Sequence, residues 1–377
     1  MKIATNVDRQ IFGGIATSNL ALFRSLEESG HTFVGIEMPR ERSIKGATTF
    51  WRFHPDFFQH RIIQVPDLWE RYQIGDFEDL KGIKSYWSLA ITLMIELLKA
   101  EAPDVVLLNG TYIVPWILLH AAKKLKIPVV LRYAGVLTIE TQNVPDEHAR
   151  EMFRKLEKDF VPNVSFCIFP SMVAKRVVEE VVTGKTINRA VILPNPIFVS
   201  KTYRHYQQGQ PIIAAIGRWA KVKNFPAFFI AHKQLLKEKY KHRALLITNH
   251  DRSHRVPKTV EEIPIMAQDQ LQQFYSCLSV LVIPSTFETF CNVAAEALMT
   301  GTPVLVSETV GFAEVLRKFK LDDMIVPSFD DVELVAARIK KLSGRRLSFW
   351  KRRALAKYLD PNRVHQQLVD VLQDNLK

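Results

Sequence analysis

Two pairs of charged residues have the types and spacing to do chemistry. Arg218 and Lys223 lie five residues apart, just after Gly217. Fixed cations stabilise negative charge that builds on a departing anionic group, most strongly where water is scarce. Arginine offers a forked contact and lysine a point charge. Glu288 and Glu296 form the second pair. With a helix starting near Cys291, Glu296 lies about two turns on, and both carboxylates can face one cleft. The amides of Cys291, Asn292 and Val293 are then first-turn donors without a helical acceptor, an anion site. Each feature has an ordinary reading: a solvated basic loop, a capping glutamate and a solvated helix glutamate. On these residues alone the ordinary readings are the stronger ones.

The elements around them alternate short β-branched runs with amphipathic stretches, the rhythm of parallel sheets wound with helices. In the first half the expected strands are Lys2–Asn6, Phe33–Glu37, Asp104–Leu108, Val129–Leu131 and Ser165–Phe169, with helices over Ile15–Ser29 and Pro115–Leu125. The second half restarts with Ile212–Ile216 and a helix over Phe225–Lys239. Strands Ala244–Thr248, Ser279–Ile283, Val304–Ser307 and Met324–Val326 follow. Glu288 thus follows the carboxyl end of a strand, where open α/β sheets place ligands. Between the halves, Leu193-Pro194-Asn195-Pro196 and the polar Tyr203–Gln210 suit a hinge, which puts the boundary near residues 197–210.

At roughly 100–200 residues per domain, 377 residues suggest two domains. A hydrophobic fraction of 47% excludes a mostly disordered chain. Cys167, Cys277 and Cys291 are too few and scattered for a disulfide framework, so a reducing compartment is expected. No apolar run approaches the roughly 18–20 residues of a bilayer span, and Met1–Asn6 lacks a signal-peptide core. A cytoplasmic protein, free or peripheral at a membrane, is the expectation. The charge of 51 − 39 = +12 calls for an anionic partner: nucleic acid, a membrane or a phosphorylated small molecule.

The run Pro284–Glu296, continuing through Ser307, resembles the Glu-x7-Glu signature of the retaining glycosyltransferases of family GT4. The resemblance implies an α/β GT-B fold, two Rossmann-like domains facing a cleft. They would span residues 1–197, rejoined by a C-terminal helix over about 361–377, and residues 198–360. It also implies a nucleoside-diphosphate sugar donor, UDP or GDP by family frequency, with no cofactor and no metal. Glu288 would meet donor-sugar hydroxyls and Glu296 the ribose hydroxyls, while the amides around Phe290, Cys291, Asn292 and Val293 meet the sugar and diphosphate. Gly217–Asn224 resembles the family's Gly-Arg…Lys-Gly/Asn motif, which makes Arg218 and Lys223 the diphosphate pair. Gly13 and Gly14, weak as a motif alone, match the loop by which the first domain approaches the donor phosphate. Met266 falls where relatives pass beside the donor base, and a plain core methionine is an equal reading. The acceptor would be a glycan, a glycolipid or another hydroxyl.

This chain departs from the family pattern in places. Thr289 and Cys291 stand where many relatives carry glycine, and the donor-site histidine falls at Ala134. Arg132 and Glu140 are candidates for acceptor contact or ordinary surface residues. Gly184-Lys185-Thr186 is not a P-loop, because Glu179 replaces the required glycine. His250 and His254 lack a third metal ligand, and no Asp-x-Asp occurs, against a metal-dependent GT-A enzyme. A non-catalytic sugar-nucleotide binder and a nucleic-acid glycosyltransferase remain alternatives. The basic cluster Lys340–Arg353 and the aromatic–basic stretch Phe50–Trp69 fit a solvated face, an anionic membrane or, least well, nucleic acid.

Overall fold

A computed structural model describes residues 1–7, 14–38, 59–65, 67–198, 209–249, 255–266 and 268–375. Gly13, His250, His254 and residues 50–58 lie outside them. The chain divides into two units, Met1–Pro196 with Pro361–Lys377, and Ile197–Asp360.

The first unit is built on β1 (Lys2–Asn6), β2 (Thr32–Glu37), β3 (Gln59–Ile62), β4 (Val105–Asn109), β5 (Val129–Arg132), β6 (Phe166–Phe169) and β7 (Ala190–Ile192). All pair in parallel in the order β3-β2-β1-β4-β5-β6-β7. Parallel strands covered on both faces read as unbroken apolar runs, and β4 and β5 are buried at every position. The final helix, Pro361–Asn375, lays Val364, Leu368 and Leu372 against Leu22, Phe23 and Leu26 of the helix Gly14–Glu28. His365 fixes the register of that contact: Nδ1 meets the Ser25 hydroxyl, and Nε2 lies 3.1 Å from Ser29 Oγ.

The second unit carries β8 (Ile212–Ile216), β9 (Arg243–Thr248), β10 (Val260–Pro264), β11 (Val280–Ile283), β12 (Val304–Ser307) and β13 (Ile325–Val326). Their order is β10-β9-β8-β11-β12-β13, again all parallel. The chain direction across the sheet reverses between β8 and β11, the place where open α/β sheets leave a crevice at their carboxyl ends. Phe225 and Phe228 seat the helix Phe225–Lys237 in the core, which also takes Phe290 and Phe312. Among the described residues, no helix is long and apolar enough to cross a membrane.

Candidate functional site

The loops that leave β8 and β11 emerge side by side, because those strands are hydrogen-bonded neighbours. After β8, the Gly217 amide still donates to Ile247 O at 3.0 Å, and the stem of Lys223 then crosses over Gly217. Lys221–Lys223 forms a single turn closed by Asn224, whose φ of 48° lies in the left-handed region. Only glycine and, less readily, asparagine adopt that conformation routinely, which gives a physical reason for an asparagine at the end of this loop. Asn224 also starts the helix Phe225–Lys237, so one residue both turns the lysine inward and launches the helix. Arg218 is exposed and Lys221 points to solvent. The Asn249 side chain accepts the Trp219 amide at 2.9 Å and ties the loop after β9 to this one.

The loop after β11 docks onto the lysine turn. The Thr286 amide donates to Val222 O at 2.8 Å. Glu288 accepts from Ser285 Oγ at 2.9 Å and pairs with the Lys223 ammonium. Its backbone is held from the other side, its carbonyl accepting the Gly311 amide at 3.0 Å. Burial works against the Lys223 charge, but the Glu288 carboxylate outweighs it and holds the lysine above its ordinary pKa; Arg218 pulls it the other way. The centre is therefore a charged lysine clamped by a carboxylate, with a second cation within electrostatic reach. Both side chains of the pair keep some access to solvent, 22% for Lys223 and 17% for Glu288.

Cys291 precedes the helix Asn292–Met299 with φ 82° and ψ 74°, a left-handed position held by a residue with a Cβ. Such a conformation costs on the order of 1–2 kcal/mol, which explains why glycine would suit the position. Burial raises the Cys291 thiol well above its ordinary pKa, and Glu288 adds to the effect while Lys223 opposes it, so the sulfur stays protonated. The cysteine carbonyl accepts the Ala294 and Ala295 amides, leaving the Cys291 and Val293 amides without a backbone acceptor among the described residues. Phe290 turns inward, edge-to-face with Phe312 at 5.7 Å, so only its backbone is placed to meet a ligand.

Glu296 sits apart from the lysine clamp. It is 4% exposed and accepts a hydrogen bond from the Tyr275 hydroxyl at 3.1 Å. The two glutamates thus have different partners, one a lysine and one a buried tyrosine on the helix Gln268–Cys277. Burial raises Tyr275 far above the usual phenol pKa, with the Glu296 charge adding to it, so the phenol remains a donor. Met266 lies two residues beyond β10 and is half-buried. Among the described residues, no group of three His, Cys, Asp or Glu side chains could hold a metal ion.

In the first unit, Gly14 opens the helix Gly14–Glu28. Arg132 is not a surface residue. It is buried at the end of β5, where its guanidinium donates to Asn19 Oδ1 and, at 2.9 Å, to Asn195 Oδ1. Burial brings its pKa down to about 10. The asparagine between the two prolines is thereby anchored to β5, immediately before the first unit ends. Glu140 is exposed and folds over Gly135, where a Cβ would lie 2.1 Å from its carboxylate oxygen.

Ser285 had escaped notice as a site residue, although its spacing to Glu288, Ser-x-x-Glu, is the one that lets such side chains meet locally. Glu157, also missed, is fully buried in the first unit and accepts from Thr111 Oγ1, Leu137 N, Thr138 N and Thr138 Oγ1 at 2.6–2.9 Å. Nothing in its helix, Glu147–Phe160, marks it out among seven other charged residues.

Residues 210–344 match the family model described as glycosyl transferases group 1. An uncharacterized glycosyltransferase of Methanocaldococcus jannaschii is 45% identical over 49 residues, a stretch that spans 13% of each chain. Among solved structures, sucrose-phosphate synthase from Thermosynechococcus elongatus superposes with a TM-score of 0.74 at 16% identity, over 99% of this chain and 98% of that one. A trehalose-6-phosphate protein from E. coli bound with UDP-2-fluoro glucose gives a TM-score of 0.67 at 13% identity, over 100% and 99%. Those identities speak for the fold, and the family model speaks for the second unit. The chain has the fold of the GT-B glycosyltransferases, and within it residues 210–344 are similar to the glycosyl transferases group 1 family.

Proposed function

We propose that the protein moves a sugar, with retention of configuration, from a nucleoside-diphosphate sugar to a hydroxyl acceptor. The observation that carries this reading is the Lys223–Glu288 clamp at the carboxyl ends of β8 and β11, with Arg218 beside it. A diphosphate entering there competes with Glu288 for the lysine. Lys223 and Arg218 then neutralise the phosphates, a task that in this reading needs no metal. Glu288, released from the ammonium, becomes free to accept hydrogen bonds from donor-sugar hydroxyls. The Cys291 and Val293 amides add donors with no charge of their own, and Glu296 serves the ribose.

In the reaction, the bond from the anomeric carbon to the diphosphate oxygen breaks and one to the acceptor oxygen forms on the same face. The acceptor proton passes to the departing phosphate oxygen. No protein nucleophile is required, so the protein's work is to hold the diphosphate and the sugar in place. UDP and GDP are the proposed nucleotides, and a glycan, a glycolipid or another hydroxyl compound is the proposed acceptor.

A thermal-shift panel of nucleoside diphosphates tests the donor half of this reading, because a ligand that binds only the folded state raises its melting temperature. UDP or GDP should raise it in the wild type and much less in Lys223→Ala. A panel in which no diphosphate shifts the wild type would sink the reading.

A further inference from the structure

Residues 334–359 contain nine lysines and arginines and no aspartate or glutamate. The fold puts several of these cations to internal use. Lys340 pairs with Glu238, and Arg345 with Asp323. Arg346 donates to Leu278 O at 2.8 Å, and Lys351 caps the Phe319 and Lys320 carbonyls at 3.2 and 3.3 Å. Of the cations these contacts leave over, Arg353 and Lys357 share one exposed face of the helix Phe349–Tyr358, where Trp350, Arg353, Ala354 and Lys357 follow the three- and four-residue spacing of a single stripe. Trp350 is 72% exposed and the adjoining Phe349 54%, and the two rings stand together with centroids 5.4 Å apart. Arg353 and Lys357 form no ion pair among the described residues. The opposite side of the helix, through Leu355, is buried in the unit's core.

Two neighbouring bulky rings left in water beside unneutralised cations are costly unless something covers them. An anionic bilayer matches both features: indole and phenyl rings settle at headgroup depth, and lysine and arginine meet lipid phosphates. The rings stand 74° to each other and so do not present the parallel faces on which successive bases stack. We propose that Phe349 and Trp350 enter the interface of an anionic membrane, with Arg353 and Lys357 on its headgroup phosphates. This surface lies outside the donor site, and its failure would leave the proposed reaction untouched.

Co-sedimentation of the full chain with vesicles tests it, using phosphatidylcholine alone and phosphatidylcholine mixed with phosphatidylglycerol. Binding is expected to the mixed vesicles only and to weaken with salt. Trp350→Ser should lower it about 10-fold or more, and the double variant Arg353→Gln/Lys357→Gln about 30-fold at low salt. All four side chains project from the fold, so melting temperatures and diphosphate binding should stay at wild-type values. Absence of binding to the mixed vesicles overturns the proposal, as does binding that both variants retain. So would Trp350-dependent self-association in light scattering, or Trp350-dependent binding to DNA with none to lipid.

Discussion

If Glu288 holds Lys223 in the free protein, the two residues should have opposite effects on binding of a nucleoside diphosphate that carries no sugar. Lys223→Ala removes a charged donor to the diphosphate, a loss of about 1.5–3 kcal/mol, or roughly 10- to 150-fold in affinity. Glu288→Gln instead removes the competitor for that lysine. Exposed ion pairs are worth about 0.2–1 kcal/mol. This one is partly covered and backed by the Ser285 hydroxyl, so the upper end applies. Freeing the ammonium should then tighten UDP or GDP binding by up to about 5-fold, because 1 kcal/mol is close to that ratio. The loss of a negative charge near the phosphates acts in the same direction. Isothermal titration of UDP and GDP into the wild type and both variants measures it. Weakening in Glu288→Gln comparable to that in Lys223→Ala would refute the competition and give Glu288 a different task.

Two further outcomes follow from groups outside that clamp. The buried His232 contacts His242 Nε2 at 2.8 Å through Nδ1 and Thr259 Oγ1 at 2.9 Å through Nε2, and burial, helped by His242, lowers its pKa from 6.5 to about 4. A histidine that refuses its proton only when folded contributes stability fully above pH 6.5 and loses it as the pH falls towards 4. The 2.5-unit gap amounts to about 3 kcal/mol in all, with about 2 kcal/mol of it gone by roughly pH 5. Urea melts should show that the wild type loses more stability than His232→Gln between neutral pH and pH 5, and equal losses would contradict the assignment. Glu157→Ala should cost about 3–5 kcal/mol in the same melts, because four donors lose their acceptor at once; a change below about 1 kcal/mol would mean that water replaces the carboxylate.

Much of the architecture is written in local pattern. β1, β8 and β12 fall on the residues the apolar runs indicate, and the neighbouring central strands begin or end within a residue of expectation. Three strands had no such signal: β3, β7 and β10. Each is an edge strand, and β10 reads Val-Glu-Glu-Ile-Pro with both glutamates exposed. Polar residues at an edge discourage unwanted pairing, so β3 and β10 lack the unbroken apolar run of a central strand, and β7, Ala-Val-Ile, is only three residues long. The site divides in the same way. Arg218, Lys223 and Glu288 stand out as charges beside strand ends, but the contact between Lys223 and Glu288 spans 65 residues and follows from β8 pairing with β11. The Tyr275–Glu296 bond joins two helices, and Arg132 reaches partners 113 and 63 residues away. No periodicity encodes such links. The left-handed turn at Cys291 is likewise invisible in a sequence that places a side chain where glycine is at home.

The most direct test of sugar transfer is turnover of UDP- and GDP-sugars by the wild type and Lys223→Ala, with the anomeric configuration of the product read by NMR. Diphosphate release by the wild type with the donor's configuration kept, and loss of about 100-fold or more in the variant, is the expected result. Inverted product, or turnover that Lys223→Ala leaves unchanged, would contradict it.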